Sequence, residues 1–163
     1  SAVPALERAL RPHVLPDGPV ETVEGFADVL ESLARSAPGL GAAFAIGRLD
    51  RTEALSVWRE HASTVHDAVR LGDRTRSSGL VVLEADDADP WTVARLVRDF
   101  RSAEPAALVV GTNEVALATT ETNALDRLEA IDAIESVGGR DDLASGRTDA
   151  PTAAIRSSLE VSR

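Results

Sequence analysis

The chain has 163 residues and a mass of 17.2 kDa, enough for one domain or one domain with a small attached lobe. With 44% apolar and 27% charged residues it has material for a core, which excludes wholesale disorder, and the absence of cysteine excludes disulfides, thiolate zinc sites and cysteine nucleophiles. All 17 basic residues are arginines and 27 are acidic, so the net charge is -10, a self-repelling surface that only strong salt screens.

Residues 1 to 21 hold Pro4, Pro12, Pro16 and Pro19 and predict an irregular lead-in. Phe26, Val29, Leu30 and Leu33 then recur at helical spacing until Pro38 and Gly39, predicting a helix over 23–36. The short apolar run from Gly41 to Gly47 reads as a buried strand. Asp50 and Glu53 form a capping-box-like start, and Leu55, Trp58, Ala62, Val65 and Val69 make one stripe, so a helix is expected over 51–71.

The polar stretch from Gly72 to Gly79 reads as a turn, and Leu80 to Leu83 as a buried strand. Asp89 as cap and Pro90 at the first helical position open a helix whose Val93, Leu96, Val97 and Phe100 face inward. Ala106 to Val110 and Val115 to Thr119 predict a hairpin around Gly111-Thr-Asn-Glu114. Asn123 caps a further helix carrying Leu125, Leu128, Ile131 and Ile134, which Gly138-Gly139 is expected to end. Ile155, Ser157, Leu159 and Val161 alternate with polar neighbours and predict a strand near an edge. The alternation of helices and strands implies an α/β fold with a mixed sheet and flanking helices.

Chemistry-bearing residues are sparse. His61 and His66 lie five apart on the expected helix, about 140° around it, too far to chelate one ion, and with His13 they read as surface or boundary histidines. Asp86, Asp87 and Asp89 read as a solvated strand-to-helix loop rather than a metal site, since no glycine and glutamate complete a calcium loop. A small-molecule enzyme built on Asp86, Asp87 and His66 is the least favoured alternative. Arg95, Arg98 and Arg101 run along the helix side opposite its apolar stripe, where they complement the helix dipole or track a phosphate backbone, and Asp99 can pair with Arg95. Gly138, Gly139 and Arg140, followed by Gly146 and Arg147, have the makings of a phosphate cradle: glycine amides for an anion and guanidinium groups for bidentate bonds. On local evidence a plain helix cap is the favoured reading of the glycine pair.

The segments Leu80 to Glu84, Val93-Ala-Arg-Leu-Val-Arg-Asp-Phe-Arg101, Glu104 to Val110 and the Gly138-Gly139 loop together resemble the C-terminal DHH-associated domain of archaeal RecJ-like phosphoesterases. Gly25 to Leu30 and the helix bearing Trp58-Arg-Glu-His61 resemble the connector that precedes that domain. The acidic, lysine-free, alanine- and arginine-rich composition resembles that of a halophilic archaeon, with a high-GC actinobacterium as the alternative.

The resemblance implies a proline-rich lead-in and helical connector over 1–72 and a DHH-associated-like α/β domain over 73–163. It implies a lid over single-stranded DNA or RNA, with Gly138, Gly139, Arg140, Arg147, Arg98 and Arg101 as phosphate-binding residues. The manganese- or magnesium-binding catalytic half has no counterpart here, so no cofactor and no catalytic residue are expected in this chain. The family histidine is also missing, because Gly138-Gly139-Arg140 runs into Asp141-Asp142. The expected function is therefore a noncatalytic RecJ-like protein or fragment that binds single strands for a separate phosphodiesterase half. The alternative is a protein-interaction subunit of a replication, repair or RNA-modification assembly. Ser1 and the absence of Met point to a trimmed N-terminus. No apolar run approaches the roughly 20 residues of a bilayer span and no signal segment opens the chain, so a cytoplasmic protein without a membrane partner is expected.

Overall fold

The computed structural model describes residues 12–77 and 79–161. The chain divides into two compact units between Ser63 and Thr64. The irregular lead-in expected over residues 1 to 21 lies outside the described residues as far as residue 11. From there turns and one Val14–Thr22 bridge lead into the first helix.

In the first unit, helix α1 (Val23–Ser36) starts where the Thr22 side chain accepts from the Gly25 amide at 3.0 Å. Its Val29 and Leu33 are buried with Phe44 and Ala54, and the Phe26 and Phe44 rings stack at 5.3 Å. Phe44 belongs to helix α2 (Pro38–Ala45), so the strand expected over 41–47 is a helix. Pro38 pre-sets the first turn and alanines fill the interior, while Ile46 stays exposed; a run this short is apolar in either conformation and propensity decides it. Helix α3 (Arg51–Leu71) has the predicted bounds, and the Asp50 carboxylate accepts from the Thr52 amide at 2.7 Å.

The second unit is a six-stranded mixed sheet in the order β1-β2-β3-β4-β6-β5. Strand β1 (Arg74–Ser77) pairs antiparallel with β2 (Leu80–Glu84), which runs parallel to β3 (Ala106–Val110) through helix α4 (Pro90–Phe100). Strand β4 (Glu114–Thr119) pairs with β3 as expected, then with β6 (Leu143–Arg147), and β5 (Glu135–Arg140) is the outer edge. The stretch read as a turn at 72–79 therefore holds an edge strand, whose polar residues bury too little to show period two.

Alternation along the strands splits the core between the two faces of the sheet. Val81, Leu83, Ala107, Val109, Ala116, Ala118 and Leu143 pack with Val65 and Val69 of α3 and Val93, Ala94 and Val97 of α4. Leu80, Val82, Leu108, Val110, Val115 and Leu117 pack with Leu128 of α5 (Ala124–Glu129) and with Ile155 and Leu159 of α6 (Thr152–Val161). Residues 155–161 are thus helical, not a strand. Ile155 and Leu159 are four apart, a spacing that lies on one face in either structure. Asn123 caps α5 as predicted, but the helix ends at Glu129. Ile131 and Ile134 stay buried through three-residue turns, the Ile131 amide bonding the Leu128 carbonyl and the Ile134 amide the Ile131 carbonyl.

Candidate functional site

Gly138 and Gly139 do not end a helix. They lie in β5, exposed on the outermost strand, opposite Ser145 and Ala144. The strand is irregular: the register shifts between Glu135 and Gly138, and Ser136 takes φ 53°. Gly139 has φ 146°, and a Cβ there would stand 2.5 Å from the Leu143 carbonyl oxygen, so only glycine fits.

The candidate phosphate ligands separate into two groups. Arg140 and Arg147 sit at opposite ends of the β5–β6 hairpin, their backbones about 14 Å apart by strand rise. Arg147 faces Glu114 on one neighbour and Glu135 on the other, a cross-strand arrangement of opposite charges.

Arg98, by contrast, converges with Arg140. Its side chain is 9% exposed, so it does not lie on the solvent side of α4 as the helical pattern predicts. Its terminal nitrogen donates to the Asp142 carbonyl at 2.7 Å, the Asp142 carboxylate at 3.1 Å and the Thr119 carbonyl at 3.3 Å. Its Nε donates to Asp99 at 2.7 Å, so Asp99 pairs with Arg98. Arg140 Nε donates to the other Asp142 oxygen at 2.6 Å, leaving the Arg140 side chain 63% exposed. Arg101 caps the C-terminus of α4 one turn beyond Arg98 and is exposed.

Arg98, Arg101 and Arg140 thus share one end of the sheet with Asp99, Asp141 and Asp142. Partial burial pushes the Asp142 carboxyl up, but hydrogen bonds and charge from Arg140 and then Arg98 outweigh it and hold Asp142 below the ordinary aspartate value. Burial likewise opposes the charge on Arg98, and Asp99 and Asp142 overcome it, so Arg98 stays a cation. What this end offers an anion is the exposed face of Arg140, the exposed Arg101 at the end of α4, and an edge strand without side chains at two positions. No feature of the sequence announces the Arg98–Asp142 link, which spans 44 residues.

The remaining candidates do other work. Asp89 accepts from the Thr92 amide at 3.0 Å and its hydroxyl at 2.5 Å, fulfilling the cap, while Asp86 and Asp87 are exposed. His61 is buried at 9% exposure with its Nδ1 2.9 Å from Ser36 Oγ, deeper than a boundary residue, and His13 binds Glu24 at 2.5 Å. Among the described residues no group of three His, Asp or Glu could hold a metal ion. An open cavity of about 210 Å³ at the other edge of the sheet is lined by Asp73, Thr75, Val82, Glu84, Thr152 and Arg156.

Residues 72–160, more than half of the chain, match the family model described as "Uncharacterized protein rrnAC1427, C-terminal domain". The chain belongs to that family. A member from Haloarcula marismortui, the uncharacterized protein rrnAC1427, is 42% identical over 155 residues, covering 91% of this chain and 41% of that protein. The chain thus spans under half the length of that rrnAC1427 relative. The fold of this chain resembles RecJ of Thermus thermophilus in its complex with Mg2+, with a TM-score of 0.59 and 16% identity over 83% of this chain and 24% of RecJ. It also resembles exonuclease RecJ bound to manganese, with a TM-score of 0.55 and 15% identity over 83% of this chain and 39% of that one. At these identities the likeness is one of fold: a six-stranded mixed sheet with flanking helices, preceded by N-terminal helices, as in the DHH-associated region. Among the described residues no helix is long and apolar enough to cross a membrane.

Proposed function

We propose that this chain is a noncatalytic DHH-associated-type domain that holds single-stranded nucleic acid for a metal-dependent phosphodiesterase half lying outside it. The observation that carries the reading is the RecJ-like fold with an exposed arginine, Arg140, at the glycine-bearing edge of β5. Edge-strand glycines allow a sugar-phosphate backbone to approach closely, and a guanidinium supplies directed bonds that survive where counterion release is weak. Arg101 adds a second contact on the same end, whereas Arg98 acts from within by fixing the hairpin. Arg147 belongs to a separate contact, if the strand extends along β6.

Fluorescence anisotropy of a labelled 12-nucleotide single strand in about 2 M KCl tests this. The reading requires saturable binding, weakened by Arg140→Ala and unaccompanied by scission. No binding at high micromolar protein removes it.

A second reading, a protein-interaction subunit, is favoured by the pairing of Arg98 and Arg140 with Asp99 and Asp142 at the candidate site. It requires that Arg140→Ala leave co-purification with a partner protein unchanged while no oligonucleotide binds.

A further inference from the structure

The Asp142 carboxylate bonds two arginines, and the two differ in kind. Arg98 is buried, and its bonds to the carbonyls of Asp142 and Thr119 make it part of the hairpin's construction. Arg140 is an exposed side chain on an edge strand, held to Asp142 by one contact two residues away. Exposed ion pairs of this type are weak and exchange readily. An incoming phosphate group can therefore take Arg140 while the Asp142 carboxylate keeps Arg98 and is never left without a cation.

We infer that Asp142 is a built-in competitor, occupying Arg140 in the empty domain as a carboxylate surrogate for nucleic-acid phosphate and yielding it on binding. The inference rests on the single-strand reading above and adds its regulation. The contact sets a threshold: a lone phosphate or a solution anion gains little by displacing a carboxylate already in place, whereas a strand with several phosphates spreads that cost over several contacts. Asp141, the adjacent aspartate, supplies its carbonyl to the Ala124 amide, and its side chain takes no part in the exchange.

The test compares Asp142→Asn with Asp141→Asn, which removes the same charge without freeing Arg140, and with Arg140→Ala and the Arg140→Ala/Asp142→Asn double variant. The probe is the labelled 12-nucleotide strand, and melting curves confirm that each variant folds. Asp142→Ser serves as a second substitution if Asn alone perturbs the hairpin.

Asp142→Asn is expected to bind about two- to fivefold more tightly than the unaltered chain, the range an exposed ion pair allows. Asp141→Asn should gain clearly less, and the gain should vanish when Arg140 is absent. An equal gain from both aspartate variants, or one that persists without Arg140, overturns the inference and leaves the single-strand reading intact. If neither the unaltered chain nor any variant binds the strand, both fall together.

Discussion

Arg98 shows most clearly how one residue carries this end of the fold. A guanidinium taken largely out of water needs its donors satisfied, and here two carbonyls and two carboxylates meet them. Arg98→Ala would take a donor from the Thr119 carbonyl and a cation from the Asp99 and Asp142 carboxylates, while the Asp142 carbonyl keeps the Thr119 amide, with an expected loss of about 1–3 kcal/mol in a denaturant titration. Arg98→Lys should recover little of it, because an ammonium lacks the planar fork that reaches both sides. A loss under a few tenths of a kcal/mol would show that the network is ornamental.

Asp142 adds a pH signature at the same scale. Its carboxyl is lowered in the folded protein, so its contribution is fully present above the ordinary aspartate value near 4 and disappears as the pH falls through the lower folded value. The melting-temperature difference between the unaltered chain and Asp142→Asn should thus be constant near neutrality and shrink below about pH 4. A difference that grows on acidification would give the shift the wrong sign.

Among the elements, α6 is one whose nature the sequence conceals. Ile155 and Leu159 are fully buried against the sheet, and Leu159→Ala should cost about 2–5 kcal/mol, read from chemical denaturation. Ser157, which a strand would place beside Ile155 and Leu159, is exposed, so Ser157→Ala should change stability by less than about 0.5 kcal/mol.

The elements legible from sequence are those with a long apolar stripe, a cap or a continuous apolar run: α1 with its stripe from Phe26 to Leu33, α3 behind Asp50, α4 behind Asp89, and the strands around Val82, Leu108 and Leu117. Those misread are short or two-faced. The run Gly41 to Gly47 is apolar all round, β1 is polar all round, and β5 hides a strand behind two glycines and a bulge. The candidate site was legible only in part for the same reason. Arg140 could be picked out beside its glycines, but its separation from Arg147 and its tie to Asp142 follow from the β4–β6–β5 register, which no local pattern encodes.

For the molecule as a whole, charge is the dominant variable. A chain with 27 acidic and 17 basic residues is destabilised by self-repulsion at low ionic strength, so its melting temperature should rise by several degrees from about 0.1 to 2 M KCl. Each kcal/mol of relieved repulsion corresponds to about 2–4 °C at this size. An unchanged or falling melting temperature would mean that its acidic groups are already neutralised by neighbours. The same field disfavours indiscriminate attraction of polyanions, so recognition falls to directed bonds at one end of the sheet rather than to a basic surface.

That placement is tested most directly by amide and arginine-side-chain chemical shifts of the isotope-labelled chain, followed during titration with a short single strand in about 2 M KCl. The expected result is saturable shifts concentrated at Gly138, Gly139, Arg140 and Arg101, with the Arg98 signal still in its buried environment. Shifts centred elsewhere on the sheet, or none at saturating strand concentration, would contradict it.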